Sequence, residues 1–367
     1  MSGARRSSDG KTPHRPTTRS EASQTIARPP SLKSVGLSYS SDTESGLRRR
    51  RKGKGFHYVD AQGRRVVSEA TLSRIRRLAI PPAYTDVWIC KNPRGHLQAT
   101  GRDARGRKQY RYHPDWRDFR DAKKFMNLVA FGRKLPKLRQ CVRRDLRRVG
   151  LSRDKVLALV TSLLMETHLR IGNAEYSREN HSYGLTTLRS RHIVFLSGKV
   201  LLRFRGKGGK PLQAALDDPR LVRLVRQCHD LPGQRLFQYV DDEGGKRHAL
   251  HSQDVNAYLQ EIMGEAFTAK DFRTWIATFL AISLLAQLPI SKNQSMRKRK
   301  TIEVAVLREI ADALGNTPTV CRKSYVCPEI FAGWRDGTLQ RYIEKDTLRT
   351  PARFERAVVT FLAARLH

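Results

Sequence analysis

Apolar positions along this chain change their spacing several times, and each change predicts a different kind of element. Between residues 56 and 112 they come in short runs at 86–91, 97–101 and 107–112, broken by Asn92-Pro93-Arg94-Gly95 and Asp103-Ala104-Arg105-Gly106. Short β-prone runs bounded by such turn signals predict an antiparallel β unit. A short helix over residues 71–78 precedes it and ends before Ile80-Pro81-Pro82, where proline excludes further helix. From Arg120 the period becomes helical: Phe125, Leu128, Val129 and Leu135 open an amphipathic stretch that runs to Leu146 with a kink near Pro136. A further helix starts near Arg153, buries Val156, Leu159, Val160, Leu163 and Leu164, and stops at Gly172-Asn173, which puts Arg170 in its last turn.

Residues 193–216 return to strand-like runs with glycine turns and predict a three-stranded meander. Lys207 stands at the tip of its second hairpin between Gly206 and Gly208-Gly209, where a lysine can swing; Lys199 and Lys210 are rival positions. Thr268 and Asp271 form a capping box for a helix whose apolar face is Trp275, Phe279 and Ile282. Arg273 lies in its first turns and opposes the helix dipole, so a bound anion would explain its placement. A helix over 302–314 ends in Leu314-Gly315-Asn316, and Thr317-Pro318 caps the next one. Tyr325 is expected about two turns into it, beside Arg322 and Lys323. The last helix begins at Thr350-Pro351 and carries Phe354, Val358 and Phe361. The expected fold class is α+β: a basic tail over 1–52, a small, mainly antiparallel β domain over 53–120, and a larger, mainly α-helical domain over 121–367 that carries the meander.

Charge narrows the partners. Among 367 residues, 71 Lys and Arg face 34 Asp and Glu, a net charge of +37 that continues through the segments expected to fold. Such an excess favours a polyanion, because each neutralised phosphate releases condensed counterions. The five cysteines are scattered and odd in number, which argues for a reducing compartment. No zinc spacing occurs, so no metal is expected. Residues 275–290 are too short and too polar to span a bilayer, and a soluble protein is expected. The first 50 residues are rich in Ser, Thr, Arg, Gly and Pro and are expected to be disordered, and the run Arg48 to Lys52 closes them as a positive patch for nonspecific phosphate attraction, or else as a solvated linker. In the last strand of the β unit, alternation sends Lys108, Tyr110 and Tyr112 to one face and Arg107, Gln109 and Arg111 to the other. Basic, amide and aromatic groups interleaved in this way suit a surface laid against DNA, with Gln109 able to read adenine.

Two arginines, a mobile lysine, an amide at a helix corner and a tyrosine make a coherent set for attack on a phosphodiester. The pentacoordinate transition state gathers negative charge on its nonbridging oxygens, which guanidinium groups bind bidentately. A phenol is mostly protonated at neutral pH, and adjacent guanidinium groups favour its phenolate form. The leaving ribose oxygen needs a proton, which Lys207 could give.

These residues occur in ordered blocks: IPPAYTDVWIC, GHLQATGRDARGRKQYRYHP, RIGNAEYSRENHSYGLTTLRSRHI, FRGKGG, KDFRTW and LGNTPTVCRKSYV. Through them the chain resembles the type IB DNA topoisomerases in their compact bacterial and poxvirus-like form, from about Phe56 to the C-terminus. The resemblance implies that Arg170 and Arg273 are transition-state arginines, Lys207 the general acid, Asn316 the helper at the phosphate and Tyr325 the nucleophile. Lys108, Gln109, Tyr110 and Tyr112, from the strand pattern above, and Lys270 are the residues expected to contact DNA. A two-domain clamp on duplex DNA, a 3′-phosphotyrosyl intermediate, strand rotation, and religation without metal, cofactor or ATP follow from the same resemblance, as does a monomer in the cytoplasm, associated with the nucleoid. Where many family members have histidine this chain has Asn316, whose amide can donate a hydrogen bond but cannot shuttle a proton. Tyrosine recombinases share the arginine-lysine-arginine-tyrosine chemistry, but Lys270 stands where they usually place histidine. A noncatalytic DNA-compacting protein would use the charge alone, and Tyr325 would be dispensable.

Overall fold

The computed structural model describes residues 32–53, 55–241, 245–264, 267–288 and 294–366. They fall into two compact units divided between His113 and Pro114.

The N-terminal unit is built on strands β1 (Leu47–Lys52), β2 (Gly55–Val59), β3 (Thr85–Ile89), β4 (Leu97–Arg102) and β5 (Lys108–Tyr112), with helix α1 (Glu69–Arg77) between β2 and β3. All pairs are antiparallel, in the order β2-β1-β3-β4-β5. Leu47, Ile75, Val87, Ile89 and Ala99 form its core. The expected tail over 1–52 is therefore corrected at its C-terminal end: 1–31 lie outside the described residues, but the run Leu47 to Lys52 is an internal strand. Ladder pairing uses main-chain groups that side-chain composition does not report. Leu47 supplies the buried anchor, and Arg49 packs over Phe56 at 4.2 Å and donates to the carbonyls of Pro81 and Tyr84. Gly46 allows the approach to β1, because a Cβ there would lie 2.1 Å from the Trp88 indole nitrogen.

The larger unit opens with α2 (Pro114–Asp145), which contains Pro136. The domain boundary expected at 120/121 thus moves to Pro114, where proline in the first turn followed by Asp115 is a helix start that precedes the apolar periodicity. Next come α3 (Arg153–Thr167), α4 (Ala174–Asn180) and the meander β6 (Ile193–Leu196), β7 (Lys199–Arg205) and β8 (Pro211–Leu216). Helix α5 (Pro219–Asp230), the hairpin β9 (Gln238–Val240) and β10 (Arg247–Ala249), α6 (Ser252–Met263) and α7 (Ala269–Ala286) follow. The chain closes with α8 (Met296–Leu314), α9 (Pro318–Ser324), α10 (Pro328–Arg335), α11 (Thr338–Tyr342) and α12 (Pro351–Leu366). One continuous core joins these helices, with Leu138, Leu159, Ala277, Ile310, Trp334 and Phe361 fully buried. Truncating one such leucine costs about 2–5 kcal/mol. Helix α2 lies close against α7, since a Cβ on Gly132 would meet the Trp275 ring at 2.5 Å. The fold class is as expected: a small antiparallel β unit and a mainly helical unit carrying a three-stranded sheet. Among the described residues no helix is long and apolar enough to cross a membrane.

Candidate active site

Helix α7 delivers Arg273 into the core of the larger unit, where it is 4% exposed. Thr268 holds the N-cap position, and the Asp271 carboxylate accepts from its amide at 2.8 Å and its hydroxyl at 2.9 Å, so the start of the helix is fixed. The expected misfit of Arg273 with its own helix dipole is answered by two other helices. Its Nη1 donates to the carbonyl of His168, the αL residue that ends α3, at 2.6 Å, and its Nη2 to the carbonyl of Leu314, the last residue of α8, at 2.7 Å. Helix C-termini carry partial negative charge, so this cation joins two of them. Burial lowers its pKa, Arg170 pushes the same way and Tyr325 opposes, yet an arginine stays charged throughout the working pH range. Its Nε is buried with no partner among the described residues.

Asn316 and Tyr325 are placed by the corner between α8 and α9. Gly315 ends α8 in the left-handed region (φ 59), and a Cβ there would lie 2.7 Å from a Leu212 methyl. Thr317 caps α9 by accepting from the Val320 amide at 3.3 Å, and Pro318 takes the first helical position. Tyr325 is not inside α9, as periodicity suggested, but the residue that ends it (φ −134, ψ −36). Its amide donates to the Cys321 carbonyl at 3.0 Å, and its own carbonyl accepts from Thr278 Oγ1 at 3.3 Å. The guanidinium of Arg273 lies 5.4 Å from its ring centroid. Glu303 on α8, 4% exposed, takes Arg322 of α9 at 3.0 Å and Arg335 of α10 at 3.3 Å, tying the Tyr325 helix to its neighbours.

Arg170 does not lie in the last turn of α3, which ends at Thr167, but in the connection after it; Asn173, expected as part of a helix stop, is instead the N-cap of α4. The left-handed His168 breaks the helix before the glycine does. The segment is pinned through its backbone: the Arg170 carbonyl accepts from the Leu185 amide at 2.9 Å, and that of Ile171 from Thr186 at 2.8 Å. A Cβ on Gly184 would sit 2.6 Å from the Arg170 oxygen. The Arg170 guanidinium donates to Asn316 Oδ1. Because a guanidinium only donates, this bond fixes the amide orientation and turns Nδ2 elsewhere. That nitrogen is buried without a partner among the described residues. Arg170, Arg273, Asn316 and Tyr325 are thus brought together, and two of their buried N–H groups make no close hydrogen bond among the described residues, with the Tyr325 phenol beside Arg273 and the Cys321 thiol beside Asn316.

Lys207 is brought near by its hairpin rather than by its side chain. Leu212 of β8 packs on Gly315, and Lys210 Nζ reaches the Asn316 carbonyl at 3.4 Å, so the β7–β8 turn lies beside the corner. Lys207 itself is exposed and makes no hydrogen bond or ion pair among the described residues, with Gly208 and Gly209 after it at φ 77 and 76. Lys270 is exposed in the first turn of α7.

In the N-terminal unit, Tyr110 and Tyr112 share one face of β5 with ring centroids 6.1 Å apart, and Tyr110 is 47% exposed. Tyr112 also packs against Trp88, Cys90 and Leu97. Lys108 pairs with Asp42 at 2.5 Å, and Gln109 donates to Asp103 at 3.0 Å, so two of these four side chains already hold partners. Asp42 comes from the segment read as tail, which is why this pairing escaped the sequence. His168, Thr278, Glu303 and Lys124, whose Nζ donates to the Ser324 carbonyl at 2.8 Å, also went unnoticed, since each acts through backbone or salt-bridge contacts far apart in sequence.

The model of the eukaryotic DNA topoisomerase I catalytic core matches residues 113–332, and that of the bacterial DNA topoisomerase IB N-terminal domain matches residues 55–103. DNA topoisomerase 1B of Acanthamoeba polyphaga mimivirus is 33% identical over 287 residues, covering 77% of this chain and 85% of the relative. DNA topoisomerase 1B of vaccinia virus (strain Copenhagen) is 23% identical over 281 residues, covering 74% and 85%. DNA topoisomerase I of monkeypox virus is 22% identical over 279 residues, with the same coverage.

Proposed function

The chain belongs to the type IB DNA topoisomerases, and on that premise we propose that it relaxes supercoiled duplex DNA through a transient tyrosyl-linked break in one strand. Tyr325 Oη gives up its proton to solvent and attacks the phosphorus, and the bond to the 5′ oxygen breaks as the bond to the tyrosine forms. The product is a 3′-phosphotyrosyl linkage with a free 5′-hydroxyl. The observation that carries the reading is the convergence on Tyr325 of the Arg273 guanidinium, 5.4 Å from its ring, and of the Arg170 guanidinium through Asn316, whose buried Nδ2, like Arg273 Nε, makes no close hydrogen bond among the described residues. Unsatisfied buried donors are costly, and a group with anionic oxygens is the partner that satisfies several at once. Charge that grows on the nonbridging oxygens then meets cations already held in place, which need no reorganisation to stabilise it.

Lys207 delivers the proton to the leaving 5′ oxygen from its glycine turn, and the same lysine takes it back on religation. Asn316 donates a hydrogen bond to a nonbridging oxygen and moves no proton. The phosphotyrosyl diester keeps the energy of the broken bond, so strand rotation and resealing need neither ATP nor metal. Tyr110, Tyr112, Lys108 and Gln109 of the sheet contact the duplex, with Lys270 adding charge at α7, and the protein acts as a cytoplasmic monomer. Relaxation of supercoiled plasmid in EDTA without ATP, with detergent to trap adducts, tests this. The wild type relaxes both signs of supercoil and forms a 3′-linked adduct, and Tyr325→Phe does neither. DNA binding without relaxation by the folded wild type would instead favour a recombinase or a charge-driven DNA packager.

A further inference from the structure

Two peptide planes meet at the Tyr325 Cα, and three elements hold them. The plane before it has its N–H bound to the Cys321 carbonyl at 3.0 Å and its oxygen, that of Ser324, bound to Lys124 Nζ at 2.8 Å. The plane after it is held at its oxygen by Thr278 of α7. Together these bonds set φ −134 and ψ −36, a pair outside the helical basin that α9 would otherwise continue, and so they set the direction of the Cα–Cβ bond. Of the three grips, the Cys321 bond is local to α9 and the Thr278 bond is long. The Lys124 bond is short and charged, and it comes from α2.

Lys124 occupies an expensive position for this purpose. Its side chain is 16% exposed, its ammonium lies 4.2 Å from the Phe125 ring centroid, and the nearest carboxylate, Asp121, is 3.9 Å away. Burial lowers its pKa; Asp121 opposes this, while Lys270 and Arg120 push further down. A cation desolvated among other cations needs a strong local partner. The Ser324 carbonyl at the end of α9 is that partner, since helix-terminal carbonyls lack intrahelical donors.

Resting on the reading of Tyr325 as nucleophile, we infer that Lys124 is its positioning residue: the ammonium fixes the peptide that carries the tyrosine and thereby the line along which the phenol meets the phosphate. Misplacement of a reacting group by about 1 Å can cost about 100-fold in rate, so loss of this bond has a kinetic signature of its own. It slows formation of the covalent bond and spares religation, because in the covalent complex the DNA itself holds the tyrosine.

The test uses Lys124→Ala, the milder Lys124→Gln and the charge-conserving Lys124→Arg in the full chain, on a duplex whose cleaved end dissociates. The neutral variants are expected to cleave about tenfold or more slowly in single turnover. Their DNA affinity, measured in a Tyr325→Phe background, and the religation rate of a preformed adduct stay at wild-type values, and Lys124→Arg recovers most of the cleavage rate. Wild-type cleavage by folded Lys124→Gln overturns the inference. So does equal slowing of cleavage and religation, which would put Lys124 on the phosphate, or a matching loss of affinity or thermal stability, which would make the bond merely structural. An adduct formed by Tyr325→Phe would refute the underlying nucleophile assignment instead.

Discussion

Arg273 and Lys207 bring positive charge to the same corner in opposite ways. Arg273 is buried, tied to the ends of two helices and committed to one geometry. Lys207 is exposed on a glycine turn whose base is anchored by Leu212, and its side chain has no partner among the described residues. A group that stabilises developing charge gains from being fixed before the reaction, since no reorganisation is needed when charge appears. A group that hands over a proton must reach different positions as the strand is cut and resealed. Under the proposed function, Arg273 would supply preorganisation and Lys207 delivery.

The sharpest way to break this contrast is to remove the fixed group. Arg273→Ala is expected to slow single-turnover cleavage on the order of 10³-fold and to lower the melting temperature, because the carbonyls of His168 and Leu314 lose their donor. Arg273→Lys recovers little, as an ammonium cannot span both carbonyls and a phosphate. Lys207→Ala comes next, with cleavage slowed about 100-fold at an unchanged melting temperature. A substrate with sulfur in place of the leaving 5′ oxygen restores its rate, since a thiolate leaves without a proton. A lowered melting temperature in Lys207→Ala would show that the turn is structural.

Asn316→Ala should cost about tenfold in cleavage, the worth of one hydrogen bond to a charged oxygen. The cost should not vary with pH, because the amide does not titrate. Smallest at neutral pH is the effect of His192, which supports the base of the hairpin. It packs 4.5 Å from the Tyr183 ring and accepts from the Arg189 amide at 3.1 Å. Burial, with Arg191 and Arg189, lowers its pKa to about 4. The unfolded chain therefore binds this proton more readily than the folded one. Stability is full above about pH 6.5 and falls by up to roughly 3 kcal/mol as pH drops toward 4. Thermal melts across that range should show a shallower slope in His192→Asn, whose Oδ1 can accept the same N–H without titrating, with cleavage at pH 7.5 preserved.

The elements with strong periodicity were legible in the sequence: the meander, the helix carrying Phe354, Val358 and Phe361, and the capped corner at Thr317-Pro318 all lie where patterning placed them. What patterning missed depended on backbone bonds between distant segments. Arg170 lies beyond its helix, which ends at a left-handed His168 whose carbonyl accepts from Arg273, a residue more than a hundred positions later. The anchoring of Arg273 could not be read from its own helix, since the carbonyls that hold it end two others. Of the site itself, chemistry-bearing side chains stood out through residue type and motif order. The groups that aim them did not, because a lysine on a carbonyl or a threonine on a backbone oxygen has no signature in composition.

The arginine-rich strand β1 binds two properties into one stretch of chain. Its side chains contribute to the excess charge, while its main chain joins β2 to β3. Such a stretch can drift by substitution, exchanging one strand-compatible residue for another and tuning charge by small steps. It cannot be shortened, because deletion of even one residue would shift Leu47 off Ile89 and turn the alternation over. Its exposed positions, Arg48 and 50–52, are free to vary, while Leu47, Arg49 and the length are not.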